Sequence, residues 1–238
     1  METAIGFEFA PIARFGMREL VDFYNLVKGE YPEVEEQILF LAQEDQPLAA
    51  SPVPRFWITR NDKADLVQIQ RDRIYLNWRR LDGGTPYKRY PAQRAELYRI
   101  AGLLQNLIDE HDLQQPVPLW AEATYVNRIE FHGGRKPHDF FLLVTGAPQL
   151  PGVPTETRFQ EVRAVADGAY EGRSTLTVEP FRDVNSSGAI MTIVTKVAPT
   201  EDSIVSSFQA LDLARRISVE SFAAATTDEM QTEWGRER

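Results

Sequence analysis

The sequence predicts an α+β fold with a mostly antiparallel sheet, helices on one face, and an internal duplication of a strand-helix-strands-helix unit. Three observations support this prediction. Segments with strand character outnumber helical ones and follow one another directly, which favours antiparallel pairing. Each half of the chain closes with an amphipathic helix. Arg55-Phe56-Trp57 and Arg158-Phe159-Gln160 open similar pairs of strands in the two halves. We therefore divide the chain into residues 1–115, the first half, and residues 116–238, the second half, which ends in a helix and an acidic tail.

The first half begins with a short strand at Ile5–Phe9 that Pro11 stops. Apolar residues then recur at helical spacing from Met17, and Tyr31-Pro32 ends this predicted helix. The pattern of residues 33–40 fits either a strand or a helical turn. Alternating residues predict strands at 56–59, 66–70 and 74–78, and an apolar stripe predicts a helix that starts near Pro91.

The second half opens with the longest predicted strand, Trp120–Phe131, which lacks glycine and proline. Such a run is typical of a central strand, here one that could join the two halves. The remaining elements predicted along the chain are a short helix at 137–144, strands at 159–166, 174–179 and 189–197, and a helix at 203–222.

Composition limits the class of protein. The 238 residues are 43% hydrophobic and 26% charged, which is ordinary for a globular chain, and the absence of cysteine excludes disulfides and thiolate chemistry. Met1-Glu2-Thr3-Ala4 does not resemble a secretory signal, and no apolar run is long enough to span a membrane. A net charge of −9 argues against nucleic acid as a partner. We expect a cytoplasmic protein that binds neither membranes nor nucleic acid.

Positive charge is concentrated between Arg71 and Arg99, a stretch that contains eight arginine and lysine residues and three acidic ones. Such asymmetry indicates either an anion or partner site, or the solvated outer faces of strands and helices. The second interpretation is favoured.

The sequence contains no recognisable catalytic constellation. His111, His132 and His138 lack metal-ligand spacing, and no serine lies in a nucleophile elbow. Neither a phosphate-binding loop nor a dinucleotide fingerprint is present. We therefore assign no catalytic residue, metal or cofactor from the sequence.

Two asparagines within predicted strands, Asn77 and Asn127, are unusual because asparagine is poor in strands. Either they form buried hydrogen bonds across the junction of the halves, the favoured interpretation, or they line a ligand groove. Arginine forks bind phosphate well. The candidate ligand-binding residues are Asn77, Arg79, Arg80, Arg89, Asn127 and Arg128.

Short segments along most of the chain carry a further signal. They are Phe7 and Phe9, Tyr31-Pro32, Arg55-Phe56, Leu66-Val67-Gln68-Ile69, Leu76-Asn77-Trp78, Tyr87, Arg89-Tyr90, Tyr125-Val126-Asn127-Arg128-Ile129, Phe222, Thr226-Thr227-Asp228 and Trp234-Gly235. In this order they resemble a sporadically distributed bacterial protein family that is known as an automated family model without an established activity. The resemblance implies the patchy occurrence typical of defence loci and toxin–antitoxin cassettes.

The resulting hypothesis is a non-catalytic accessory or neutralising subunit of such a system, which binds a protein partner encoded nearby. Asp228, Met230 and Trp234 in the acidic tail are its candidate contacts. A chaperone-like protein, or a nucleotide or small-ligand binder that uses the groove between the halves, is one alternative. An enzyme acting on a phosphorylated substrate is another. A homodimer is compatible with all three.

Overall fold

The computed structural model describes residues 1–37, 54–81, 86–132, 135, 137–142, 158–183 and 186–234. Nine strands and five helices lie within these residues. The strands are β1 (Glu2–Phe9), β2 (Glu33–Gln37), β3 (Arg55–Thr59), β4 (Asp65–Gln70), β5 (Arg73–Arg79), β6 (Pro118–Glu130), β7 (Phe159–Asp167), β8 (Tyr170–Arg182) and β9 (Ser187–Val197). The helices are α1 (Met17–Val27), α2 (Tyr90–Glu110), α3 (Pro137–Phe140), α4 (Ile204–Ala225) and α5 (Asp228–Glu233).

All nine strands form one sheet in the order β2-β3-β4-β5-β1-β6-β9-β8-β7, and every neighbouring pair is antiparallel. The order is palindromic about the central β1–β6 pair, with β5, β4 and β3 in the first half matching β9, β8 and β7 in the second. Strand β2 has no counterpart among the described strands. This order is what a duplicated unit would produce, and the duplication itself stays a prediction.

One face of the sheet carries the core. Because side chains alternate along a strand, Ile5, Phe7 and Phe9 point to the same face of β1, and all three are buried in the main hydrophobic cluster. The apolar sides of α1, α2 and α4 contribute to this cluster, which confirms the predicted α+β fold with helices on one face. A second cluster, around Met191 and Ile193, joins β6, β8 and β9 to α3 and α5.

Several elements differ in extent from the prediction. Helix α1 ends at Val27 rather than Tyr31, because the chain turns there to bury Tyr31 completely. The sequence left a strand or a helical turn open for residues 33–40. Residues 33–37 form a strand, and residues 38–40 lie outside the described residues. Strand β6 is central and joins the halves, as predicted. Helix α3 is only one turn long, and residues 143–144 of its predicted range lie outside the described residues.

No helix in the described part of the chain is both long enough and apolar enough to cross a bilayer.

Candidate functional site

The junction of the halves, which we call the seam, is the antiparallel pair β1–β6. Each face of the sheet carries a distinct feature at the seam. A cluster of polar side chains lies on the face that carries no helix among the described residues, which we call the helix-free face. On the helical face lies a groove between α2 and α4. Strand β1 contributes to both, since Glu8 points to one face and its neighbours Phe7 and Phe9 point to the other.

The polar cluster, which we call the seam cluster, consists of Glu8, Arg73, Tyr75, Glu122 and Lys196. Strand register assembles it. Tyr75 of β5 lies opposite Gly6 of β1, Gly6 lies opposite Glu122 of β6, and Glu122 lies opposite Lys196 of β9. Glu8 lies two residues further along β1, opposite Arg73. Four adjacent strands from both halves therefore place polar side chains in one row.

Hydrogen bonds connect this row across the seam. The Tyr75 hydroxyl lies 3.1 Å from a Glu8 carboxylate oxygen and 2.9 Å from one of Glu122. The Lys196 ammonium lies 2.6 Å and 3.1 Å from the same two carboxylates. Arg73 adds a cation 3.6 Å from Glu8 and also binds Asp72. Each carboxylate is thus shared by a tyrosine and a lysine.

The surrounding charges and burial keep Glu8 and Tyr75 in defined protonation states. Burial by itself would raise the pKa of Glu8, but the hydrogen bond and charge of Lys196 and the charge of Arg73 outweigh it and lower that pKa. Burial, followed by the charges of Glu122 and Glu8, raises the pKa of Tyr75 well above its ordinary value. Near neutral pH, Glu8 is therefore ionised and Tyr75 is a hydrogen-bond donor. This arrangement suits a charge-paired connection between the halves better than proton transfer.

The groove on the helical face, which we call the seam groove, has a volume of about 230 Å³. Residues from both halves line it: Phe7, Phe9, Ile74, Ala101, Leu104, Gln105, Ile108, Gln115, Pro116, Pro118, Asp202, Ser203, Ile204 and Ser207. The aromatic and branched residues among them belong to the core strands and to α2, except Ile204 of α4, so the floor is apolar.

Helices α2 and α4 form the walls, and side chains bridge them beyond one end of the groove. Asp212 of α4 accepts two hydrogen bonds from Arg94, at 2.8 and 3.0 Å, and one from the Tyr90 hydroxyl at 2.6 Å. Phe208 packs edge-on against Phe7 with ring centroids 4.9 Å apart, and the Arg94 guanidinium lies over its ring. Phe208 therefore joins α4 to the floor of the groove.

The mouth of the groove is polar and acidic. The Gln105 amide donates to Gln115 at 2.6 Å, and both amides donate to Asp109 at 3.0 and 2.8 Å. On the opposite wall lie Asp202 and Ser203, the residues that precede α4. Carboxylates thus stand on both sides of an opening that leads to an apolar floor.

A second polar cluster lies away from the seam, where α2 approaches the β3–β4 turn. Arg60 is its centre and contacts Glu30, Asp65 and Glu96 at 3.2 to 3.5 Å. Glu96 also accepts hydrogen bonds from Arg99 and from the Tyr31 hydroxyl, and these bonds lower its pKa to about 2. The cluster ties α1, α2 and the first half of the sheet together.

The candidate residues of the first half do not converge on one site. Asn77 lies on the helix-free face, where its side chain accepts a 2.7 Å hydrogen bond from Gln68. Arg79 donates to the Lys63 carbonyl at 2.9 Å. Arg80 is exposed just beyond β5, and Arg89 is exposed at the N-terminal boundary of α2.

The candidates of the second half are separated from these. Asn77 is aligned with Ala4 and Thr124 in the strand register, so Asn127, three residues further along β6, points to the opposite face. The two asparagines therefore cannot act as a pair, either across the seam or in one groove. Arg128 is exposed near the far end of β6, where it binds Asp183 and stacks on Phe181.

The residues proposed for partner binding differ in their exposure to solvent. Met230 is 1% exposed and anchors α5 in the second core cluster, so it cannot contact a partner in this conformation. Asp228 is exposed at the start of α5. Trp234 is 38% exposed at its end, with its ring 5.8 Å from that of Phe222. Arg135 fixes α5 through Glu229 and Glu233, and residues 235–238 lie outside the described residues.

The basic stretch from Arg71 to Arg99 is largely paired within the protein. Lys88 binds Asp65, Arg94 binds Asp212, and Arg99 binds Glu96 and Glu30. Arg73 belongs to the seam cluster. The uneven distribution of charge along the sequence is therefore balanced to a large extent by contacts in three dimensions.

Histidines do not add a site in the described residues. His111 lies 3.2 Å from Glu19 and connects the end of α2 to α1. His132 and His138 each lie near a single carboxylate, Glu130 and Asp139. Within the described ranges, no three His, Asp or Glu side chains are grouped as metal ligands.

The sequence interpretation missed Glu8, Glu122 and Lys196. Each stands between two residues that face the core, as in Phe7-Glu8-Phe9 and Ala121-Glu122-Ala123. This alternation indicates the face on which each residue lies. It ordinarily indicates a solvated side chain, so neither the partial burial of these three charges nor their pairing was visible in any one segment.

Comparisons with known proteins add no relative: no protein-family model, no curated protein and no solved structure matches the chain. The resemblance to a bacterial family therefore depends on the short segments alone.

Proposed function

We propose that the protein binds a small, largely apolar molecule in the seam groove. The observation that carries the proposal is the groove itself, an apolar recess of about 230 Å³ at the junction of the two halves, with a polar mouth. Ligand sites in proteins are typically concave and apolar, with a few polar groups that orient the ligand. The groove has this construction, since its floor is aromatic and aliphatic and its rim carries two amides and a hydroxyl.

The size of the groove restricts the ligand. An apolar cavity of about 150 Å³ is sufficient to hold benzene, whereas drug-sized ligands occupy about 300 Å³ or more. A volume of about 230 Å³ accommodates one ring system with a short substituent, or a short aliphatic chain. This range is too small for a nucleotide.

The charge around the mouth restricts the ligand further. Asp202 lines the groove, and Asp109 is hydrogen-bonded to both amides of the rim. An anion that entered here would meet negative potential, whereas an ammonium group would be attracted. The expected class is therefore an uncharged or amine-bearing aromatic or aliphatic molecule.

Three probes that share one ring test this proposal. We expect tryptamine and indole to bind, and indole-3-acetate to bind at least about tenfold more weakly, as measured by isothermal titration calorimetry at low salt. Ala101→Phe places a ring inside the groove and is expected to abolish binding. Ala95→Phe makes the same change at an exposed position of α2 and is expected to leave binding intact. Equal binding to both variants, or no binding of any probe, would overturn the proposal.

A protein-binding role is the second candidate, and the exposure of Trp234 favours it. An aromatic side chain beside the exposed carboxylates Asp228 and Glu229 could anchor a basic partner, with the acidic charge of the whole protein accelerating association. This is the surface that an accessory or neutralising subunit would use. Purification from the native host together with the products of the neighbouring genes tests it. A stoichiometric protein that co-elutes with the wild type, and is lost from Trp234→Ala, would support this role.

A further inference from the structure

Strand β7 forms the outer edge of the sheet among the described strands. Among the described strands, β7 pairs with β8 alone, through an uninterrupted ladder from Phe159↔Val178 to Asp167↔Tyr170. It contains no proline and no break in register, which are two devices that proteins use to protect an edge strand. The backbone groups on its outer side pair with no other described strand, and they are therefore a template for another strand.

Most side chains of β7 are exposed as well, although Val165 is buried. Val162 is 61% exposed on the helix-free face. Glu161 and Arg163 point to the opposite face, where they form an ion pair at 2.7 Å within the strand. An apolar side chain thus lies between two residues of opposite charge, along an edge that no other described strand covers.

The order of these charges makes the strand complementary to itself. When a strand pairs antiparallel with its own copy, the two-fold axis passes midway between the two copies of one residue, and we name the axis by that residue. Residues equally distant from it along the two strands lie opposite each other. An axis through Val162 places Glu161 of each chain opposite Arg163 of the other. It also aligns Phe159 with Val165 and Gln160 with Ala164.

The neighbouring registers are less favourable. An axis through Arg163 places two arginines opposite each other, and one through Ala164 places Glu161 opposite Asp167. Like charges at directly opposite positions destabilise a strand pair. Axes through Glu161 or Val165 shorten the overlap to five residues of β7. The register about Val162 therefore combines a long overlap with opposite charges in register.

We propose that β7 is a self-association edge, at which two copies of this chain pair antiparallel about a two-fold axis through Val162 and continue the sheet from one copy to the other. The interface is small, so the dimer forms in a concentration-dependent way. This edge is separate from the seam groove, which lies between α2 and α4 on the other side of strand β9.

Charge reversal tests the register. Sedimentation velocity of the wild type from about 1 to about 300 μM should show a reversible monomer–dimer equilibrium. Glu161→Arg and Arg163→Glu should each weaken self-association by about tenfold or more, because two symmetric like-charge contacts are created. The two single variants mixed in equal amounts, and the double variant Glu161→Arg/Arg163→Glu, should associate as the wild type does.

Crosslinking gives an independent measurement, because the natural chain has no cysteine. In the proposed dimer, Val162→Cys faces its own copy within disulfide range. Ala164→Cys is displaced from its copy by four residues, roughly 13 Å along the strands, and cannot crosslink. Mild oxidation should therefore give a disulfide dimer of Val162→Cys only. A monomer at every concentration, or equal crosslinking at both positions, would overturn the proposal.

Discussion

Gly6 lies directly opposite Tyr75 in the β1–β5 pair, with the tyrosine side chain lying against its Cα. A Cβ atom at Gly6 would stand only 2.6 Å from Tyr75 Cδ1 and 2.7 Å from Tyr75 Cα, and it would also collide with the Ile74 carbonyl. The missing side chain leaves room for the Tyr75 ring, whose hydroxyl reaches Glu8 and Glu122. The seam cluster therefore depends on a residue that contributes no polar atom to it.

Gly6→Ala is expected to destabilise the protein by about 2 kcal/mol or more, because the backbone of β5 must move to accept the methyl group. Gly102→Ala is the matched control, since nothing lies within 4 Å of its added Cβ and alanine is favoured by about 1 kcal/mol in a helix. Urea unfolding followed by circular dichroism measures both. A Gly6→Ala protein as stable as the wild type would contradict the close packing of this position.

Lys196→Met is expected to cost about 2 kcal/mol near neutral pH, because it leaves the partly buried Glu8 and Glu122 without the cation that they share. Lys63→Met removes an exposed lysine 3.8 Å from Glu33 and should change stability by less than about 1 kcal/mol. Lys196 helps to lower the pKa of Glu8 in the folded protein, so its loss raises that pKa. A lowered folded pKa contributes stability above the unfolded pKa, and the wild type itself loses this contribution as the pH falls. The deficit of Lys196→Met should therefore be smaller at pH ~5 than at pH ~7.5.

Acid should destabilise the second polar cluster through Glu96. Its hydrogen bonds to Arg99 and Tyr31 lower its pKa in the folded protein to about 2, from an ordinary value of 4.5. A lowered folded pKa contributes stability above the unfolded pKa, and this contribution is lost as the pH falls from 4.5 towards 2. Glu96→Gln should be less stable than the wild type near neutral pH, and its stability should fall less steeply across this interval. Parallel slopes of the two urea midpoints against pH would refute the assignment.

Two residues near the end of the chain, Met230 and Trp234, differ in their contribution to stability. Met230→Ala should destabilise the protein by about 2 to 5 kcal/mol, because it leaves a cavity in the second core cluster. Trp234→Ala should cost less than about 2 kcal/mol, since its ring is partly exposed and contacts Phe222 at the surface. Differential scanning calorimetry of both variants checks this order. If Trp234→Ala were the more damaging, α5 would be held mainly by its terminal tryptophan.

Local pattern predicted most of the elements correctly. Alternation identified β3, β4 and β5, the glycine-free run from Trp120 identified the central strand β6, and the apolar stripes identified α2 and α4. The errors lie where tertiary contacts override local preference. Helix α1 ends at Val27, and the turn that follows places Tyr31 in the core, where its hydroxyl donates a hydrogen bond to Glu96.

The candidate site was predicted less well, for a specific reason. Asn77 and Asn127 stood out because asparagine is unusual in strands, yet they lie on opposite faces of the sheet. Glu8 and Lys196, by contrast, look like ordinary solvated strand residues and are separated by most of the chain, yet they lie 2.6 Å apart. Rarity in a local pattern is a weaker guide to a site than register between distant strands.

The sequence by itself determined the class of fold, the alternation that assigns each strand residue to a face, and the exclusion of cysteine chemistry. These properties depend on neighbours within a few positions, which the sequence shows directly. Only the tertiary structure decided that β1 pairs with β6, that four charged side chains and a tyrosine are brought together, buried or partly buried, at that junction, and that α2 and α4 enclose a groove. Burial and pairing of charges depend on which distant strands become adjacent, and the free energy that selects this arrangement is distributed over the whole core.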